Sequence, residues 1–241
     1  MSLQLVPLER AKTYELVVRQ IKEEIFAGRL RPGDRLPGER QLSEQLQVSR
    51  PSVREAVRIL QAMEIVRTSP GTGASSGLIV SAQPSRALTD LLGIHVALSS
   101  YSVAEVMSVR MALEIQAVRR LSEQGGEDDL TKAREVLDRM ADPALERSAF
   151  HDLDTEFHVE LARATGNALL ADLMMALREA VRRPMDVAFA DESSWPARQE
   201  ALVEEHGAIF EAIQAGKADR AEELMCQHID GFYESLHRGE P

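Results

Sequence analysis

Apolar positions recur at helical spacing along most of this chain, and two short stretches near residue 70 alternate or run continuously as strands do. Val17, Ile21 and Ile25 stand one turn apart, with Leu16, Val18 and Phe26 beside them, which predicts a helix from Leu8 to Ala27. Gly28 suits its C-terminal cap. Arg31-Pro32-Gly33-Asp34 reads as a turn, and Leu42 and Leu46 mark a short helix from Glu39 to Leu46. Gln47-Val48-Ser49 is a tight connection. Val53, Ala56, Val57 and Leu60 then form the stripe of a helix from Arg50, and Pro51 suits its first turn, where a missing N–H costs nothing. Glu64 to Ser69 and Ser76 to Ser81 read as paired strands around the tip Pro70-Gly71-Thr72-Gly73. The pattern is helix, then helix-turn-helix, then a hairpin wing.

Ala82-Gln83-Pro84-Ser85 reads as a short linker, and every later segment has helical period. The expected helices are Ser85–Leu98, Ser102–Ser122, Asp128–Met140, Asp142–Ala164, Ala168–Ala190, Ala197–Ala215 and Lys217–His237. In the second of these Val106, Val109, Leu113, Ala117 and Leu121 are expected to face inward. Pro184 is expected to kink or divide the fifth. Asp191 to Pro196 is expected to be a loop carrying the single Trp. The fold class is therefore mainly α: a winged helix-turn-helix domain over residues 1–81, then an all-helical bundle of about six or seven helices over 82–241.

Charge sharpens this division. The whole chain carries a formal −11, which by itself argues against a polyanionic partner. Residues 1–80 hold 12 Lys and Arg against 9 Asp and Glu, a net of +3, and residues 81–241 hold 16 against 30, a net of −14. The first part is the one suited to nucleic acid. No apolar run approaches the ~20 residues of a membrane span. The N-terminus lacks the basic and apolar regions of a secretion signal. The single cysteine, Cys226, cannot form an internal disulfide. These features fit a cytoplasmic protein with no membrane partner.

Arg50, Ser52 and Arg54 lie in the first turns of the second helix of the helix-turn-helix, clear of its apolar stripe. Two guanidiniums and a hydroxyl at an exposed helix start suit phosphates and guanine edges in a major groove. The run Leu36-Pro37-Gly38-Glu39-Arg40, then Leu46-Gln47-Val48-Ser49-Arg50, then Val53-Arg54-Glu55-Ala56-Val57-Arg58-Ile59-Leu60 resembles the DNA-binding domain of GntR-family bacterial transcription regulators. The resemblance covers roughly residues 8–75 and implies that Arg40, Ser49, Arg50, Ser52, Arg54 and Gly71 contact DNA. The wing departs from the family run: Ala74 replaces the usual hydroxyl residue, and the tip is longer.

A second constellation lies in the helical part. Asp154 and His158 are four residues apart and share a helix face with Phe150, Phe157 and Leu161. His206 falls in the stripe Leu202, His206, Ile209, Ile213, and His228 lines up with Leu224 and Phe232. A lone histidine on such a face reads as a hydrogen-bonded core residue. Three imidazoles and a carboxylate buried without partners would cost several kcal/mol, and a shared cation would satisfy all four. His151, Asp154 and His158, at i, i+3 and i+7, form an alternative set. The D-x-x-F-H run and the two later histidines resemble the FCD effector domain of FadR-type GntR regulators, over about residues 85–237. The resemblance implies that Asp154, His158, His206 and His228 hold one divalent ion, and His151 has no counterpart in it. Three nitrogens and one oxygen suit Zn²⁺, Ni²⁺ or Mn²⁺.

The resemblance further implies a homodimeric regulator, most simply a repressor, that binds an inverted-repeat DNA operator and releases it when a small carboxylate effector binds beside the metal. Arg110 and Asn167 match family positions near the effector pocket. From spacing alone, Arg110 could instead form a surface pair with Glu114 or Glu105, and Asn167 could cap a helix. Two rivals share the same site: a regulator that senses the metal itself, and a metal-dependent hydrolase. The hydrolase lacks an evident general base and leaves the winged helix unexplained, so the chain is expected not to be an enzyme.

Overall fold

A computed structural model describes residues 12–69, 77–81, 85–98, 100–124, 130–188 and 195–238. The chain divides into two compact units, Met1–Ala87 and Leu88–Pro241. This division falls within the first turn of a helix that starts at Ser85.

The first unit contains α1 (Thr13–Phe26), β1 (Arg35–Leu36), α2 (Glu39–Leu46), α3 (Arg50–Ala62), β2 (Val66–Ser69) and β3 (Gly77–Val80). The strands form an antiparallel sheet in the order β1-β3-β2. Strand β1 was not expected: two residues carry no period, and only pairing of Arg35 with Ile79 and Leu36 with Leu78 defines them. The first wing strand starts at Val66 rather than Glu64, because Glu64 takes a left-handed turn at φ 56°. Val17 and Ile21 of α1, Leu42 of α2, and Val53, Ala56, Val57 and Leu60 of α3 bury together against Leu36, Val66, Leu78 and Val80. The apolar stripes therefore settle which faces turn inward. Pro70 to Ser76, the wing tip with Gly71, lies outside the described residues.

Seven described helices follow: α4 (Ser85–Ala97), whose first turn precedes the division, and then α5 (Val103–Gln124), α6 (Thr131–Met140), α7 (Arg147–Ala164), α8 (Ala168–Ala188), α9 (Trp195–Gln214) and α10 (Ala218–Arg238) of the second unit. Helix α5 adjoins α7, α8, α9 and α10, so residues on its inward line meet side chains from all four. One core joins Val106, Val118 and Leu121 of α5 to Phe150 and Phe157 of α7, Ile209 and Ile213 of α9, and Met225 and Ile229 of α10. Two expectations change. Pro184 does not divide α8, which runs through it as one helix. Trp195 and Pro196 open α9 instead of lying in a loop, a place where proline's missing N–H is harmless.

Helix α5 corrects a third expectation. Val109 is 52% exposed, whereas Arg110 and Glu114 are buried on the line with Val106, Ala117 and Leu121. A valine yields its inward place to two charged residues because these neutralise one another and reach partners on α7 and α8.

Candidate functional site

The DNA-facing candidates are built by local geometry. Gln47 closes α2 in the left-handed conformation at φ 54°, and the Ser43 hydroxyl donates to the Val48 carbonyl at 2.6 Å across the turn. Ser49 is the N-cap of α3: its Oγ accepts from the Ser52 N–H at 3.3 Å and lies 2.9 Å from the Ser52 hydroxyl. The cap sets the angle at which α3 leaves the turn. It leaves Arg50 and Arg54 exposed, and among the described residues neither has a carboxylate partner. Arg40, also exposed, faces Glu44 at 3.9 Å. Unpaired guanidiniums at a helix start keep all their donors for phosphate or base oxygens.

In the second unit, Asp154, His158, His206 and His228 each bring one ligand-capable atom to a common point, all within 4.8 Å of one another. They come from α7, α9 and α10, where the apolar stripes carry them inward. His206 Nε2 lies 2.9 Å from Asp154 Oδ1 and 3.2 Å from His158 Nε2. His151 stands apart from this group, with its ring edge-on to Trp195 at 5.7 Å.

The outer nitrogens explain which way the inner ones face. His158 Nδ1 is hydrogen-bonded to Glu114 Oε2. His206 Nδ1 is 2.6 Å from the Leu202 carbonyl, and His228 Nδ1 is 2.6 Å from Glu205 Oε2. A carbonyl and an ionised carboxylate only accept, so each Nδ1 must carry the proton. Burial first, and then the nearby Arg178 charge, hold the His158 pKa well below the usual imidazole range. Burial and His206 lower that of His228. A neutral ring protonated at Nδ1 presents a bare Nε2 lone pair to the interior, as His158 and His228 do. His158 Nε2 and His206 Nε2, 3.2 Å apart beside the Asp154 carboxylate and each with its Nδ1 already engaged, form a donor set that fits a cation between them.

The charges behind the ligands are balanced. Burial pushes the Glu114 and Asp154 carboxyls up, but the hydrogen-bonded and charged groups facing them override it. His158, Arg110 and Arg178 hold Glu114 below the usual carboxylate range, and Arg178 with His206 does the same for Asp154. Arg110 Nε donates to Glu114 Oε1 at 2.7 Å, and Arg178 Nη1 to the same oxygen at 3.3 Å. Arg178 Nη2 donates to Asp154 Oδ2. The Arg110–Glu114 pair thus exists, but it is buried rather than on the surface. A cavity of about 40 Å³ adjoins the cluster, lined by Arg110, Phe150, Asp154, Arg178, Leu202 and His228 among others. That is room for about three waters.

Asn167 lies elsewhere. Its exposed side chain accepts from the Leu170 N–H at 3.2 Å and caps α8, and it does not line the cavity. Three residues escaped sequence reasoning. Arg178 shares an inward stripe with Met174, Leu177 and Val181, and a guanidinium inside such a stripe was the available sign. Glu114 was visible only as a partner of Arg110. Glu205 left no sign, since its partner His228 is on another helix.

Fold and side chains together define a class: a helix-turn-helix unit with exposed arginines at the start of its second helix, and a helical unit with a buried cluster of three histidines and an aspartate. The profile of the gntR family of bacterial regulatory proteins matches residues 13–75, and that of the FCD domain matches residues 105–231. The chain belongs to the GntR family and carries an FCD domain. It is similar to the HTH-type transcriptional regulator LutR of Bacillus subtilis, at 32% identity over 213 residues, covering 87% of this chain and 94% of that one. It is also similar to the HTH-type transcriptional repressor NanR of Cronobacter sakazakii, at 27% identity, covering 94% and 86%. The solved structure of a Streptococcus agalactiae GntR shares the fold with a TM-score of 0.56 at 22% identity, covering 90% of this chain and 98% of that one. These are transcription regulators and not enzymes, which leaves the hydrolase reading without support. No described helix is long and apolar enough to cross a membrane.

Proposed function

We propose that this DNA-binding regulator is a homodimeric repressor, acting in the cytoplasm, whose hold on an inverted-repeat operator is set by a small organic acid bound beside a divalent cation. The observation that carries the reading is the convergence of Asp154, His158, His206 and His228 within 4.8 Å, next to a cavity walled by two buried arginines. A divalent ion there supplies positive charge and coordination positions beyond the four protein ligands. Glu114, the Leu202 carbonyl and Glu205 hold the three rings in the tautomer that binding needs. Arg110 and Arg178 supply donors for a carboxylate, and their burial strengthens each hydrogen bond they make to it.

On DNA, Arg50 and Arg54 of each protomer read one half-site, and Arg40, Ser49 and Ser52 fix the register against phosphates. A dimer is required because one such helix reads too few base pairs for useful selectivity. The acid releases the operator only if it binds unequally to the DNA-competent and DNA-incompetent arrangements of the dimer. The relative named a repressor supports the direction of control. The guanidiniums beside the cluster favour an acid effector over the ion alone as signal.

Operator affinity measured on metal-loaded and metal-stripped protein, each with and without small acids, tests the proposal. It expects release by an acid from the metal-loaded protein. A response to metal alone, indifferent to every acid, would replace the proposal with the metal-sensing reading.

A further inference from the structure

Glu64 takes the left-handed conformation at φ 56°, a region that glycine adopts freely and glutamate does not. It stands directly after α3 and its C-cap, Met63. Its N–H donates to the Gln61 carbonyl at 2.9 Å, and that of Ile65 to the Leu60 carbonyl at 2.9 Å, so the turn closes the reading helix. Those bonds are made by backbone alone, and a glycine would make them without strain. Closing α3 therefore does not explain a glutamate at this position.

The side chain does. Glu64 Oε2 accepts from the Ala87 N–H at 3.0 Å, 23 residues further along the chain. Ala87 lies in the first turn of α4, where backbone N–H groups have no acceptor within their own helix. That turn carries Arg86 and no acidic residue, so its positive pole has no local anion. Glu64 supplies one from outside. The division between the two units falls directly after Ala87, inside α4. One residue thus ends the reading helix and caps the helix that runs on past the winged unit.

We propose that Glu64 is a positioning residue for operator recognition: it fixes the direction in which α4 leaves the winged unit, and with it the half-site spacing that the dimer accepts. A left-handed glutamate is tolerated because its local strain is offset by a clamp between two helices. The clamp has a defined geometry, since the carboxylate must meet an N–H that points along the α4 axis. A dimer reads two half-sites at a set separation. A connecting helix free to swivel at its start would blur that separation. The inference rests on the dimer and inverted-repeat reading above and names the residue that makes it selective for spacing.

The test uses the full chain as wild type, E64G and E64Q, with the duplex that wild type selects from a random pool. E64G removes the carboxylate and relieves the strain, whereas E64Q keeps an acceptor oxygen in the same place. Amide hydrogen exchange over the first turn of α4 is expected to rise about tenfold in E64G and to stay near wild type in E64Q. Wild type is expected to lose about tenfold or more in affinity when one base pair is added or removed between the half-sites. E64G is expected to narrow that difference to about threefold or less, with binding to a lone half-site unchanged, and E64Q to keep it. Wild-type exchange at the start of α4 in E64G overturns the clamp. Raised exchange with an unaltered spacing preference overturns the link to the operator. Weakened binding of E64G to a lone half-site gives Glu64 to the winged fold alone and also overturns the proposal. If wild type sits on the selected duplex as one chain, the dimer reading falls and the spacing role with it, while the exchange measurement still decides the clamp.

Discussion

The arginines of the two units work in opposite surroundings. On α3, Arg50 and Arg54 are exposed and have no carboxylate partner among the described residues. In the helical unit Arg110 and Arg178 are 3% and 6% exposed and share the carboxylates of Glu114 and Asp154. An exposed guanidinium needs no resident anion, because water solvates it until a phosphate replaces the counterions. A buried one is tolerable only with a carboxylate in place, since removing one partner of a buried pair leaves a bare charge. Function on the surface is thus separable from stability, and function in the interior is not.

Glu114→Ala should break the interior most severely. It strands the Arg110 guanidinium, takes one of the two carboxylates from Arg178 and frees His158 Nδ1, and a loss of about 3–5 kcal/mol in denaturant unfolding is expected. A loss below about 1 kcal/mol would place the pair with ordinary surface bridges and erase the contrast. Glu205→Gln is milder, because Glu205 is 38% exposed and acts only through His228. Metal affinity should fall about 10–100-fold in a competition titration against a chelator. An unchanged affinity would remove Glu205 from the support of the site.

The surface arginines should behave differently. Arg54→Ala or Arg50→Ala should cost ~1–3 kcal/mol in operator binding if the side chain reads a guanine. The melting temperature should hold. A wild-type footprint from either variant would take that residue off the reading helix. Asn167→Ala should have the smallest effect, about 1 kcal/mol of stability from the lost cap, with the acid response intact. An altered acid response at unaltered stability would return Asn167 to the effector site.

The same contrast governs what the sequence revealed. Helix α2 runs from Glu39 to Leu46 and α3 starts at Arg50, as expected from the stripes, the tight connection Gln47-Val48-Ser49 and Pro51 in the first turn. Those signals are local, so they survive without knowledge of the fold. The histidines were legible for a related reason: His206 sits among Leu202, Ile209 and Ile213, and a polar residue in such company must face inward. Their convergence from three helices was not derivable from stripes alone, and neither was Glu205 behind His228. Val109 misled because the true inward line of α5 carries charge, and a charge is hidden from apolar periodicity when its partners lie on other helices. Strand β1 was invisible because two residues have no pattern until β3 pairs with them.

The central claim is that the helical unit holds one cation through Asp154, His158, His206 and His228. Metal analysis of the purified full chain, paired with X-ray absorption at the edge of the metal found and repeated on His206→Ala, addresses it directly. The account predicts about one divalent ion per chain, bound by three imidazole nitrogens with oxygen completing the shell, and loss of that ion with lowered thermal stability in His206→Ala. Full metal occupancy in His206→Ala, or a shell without imidazole, would contradict it.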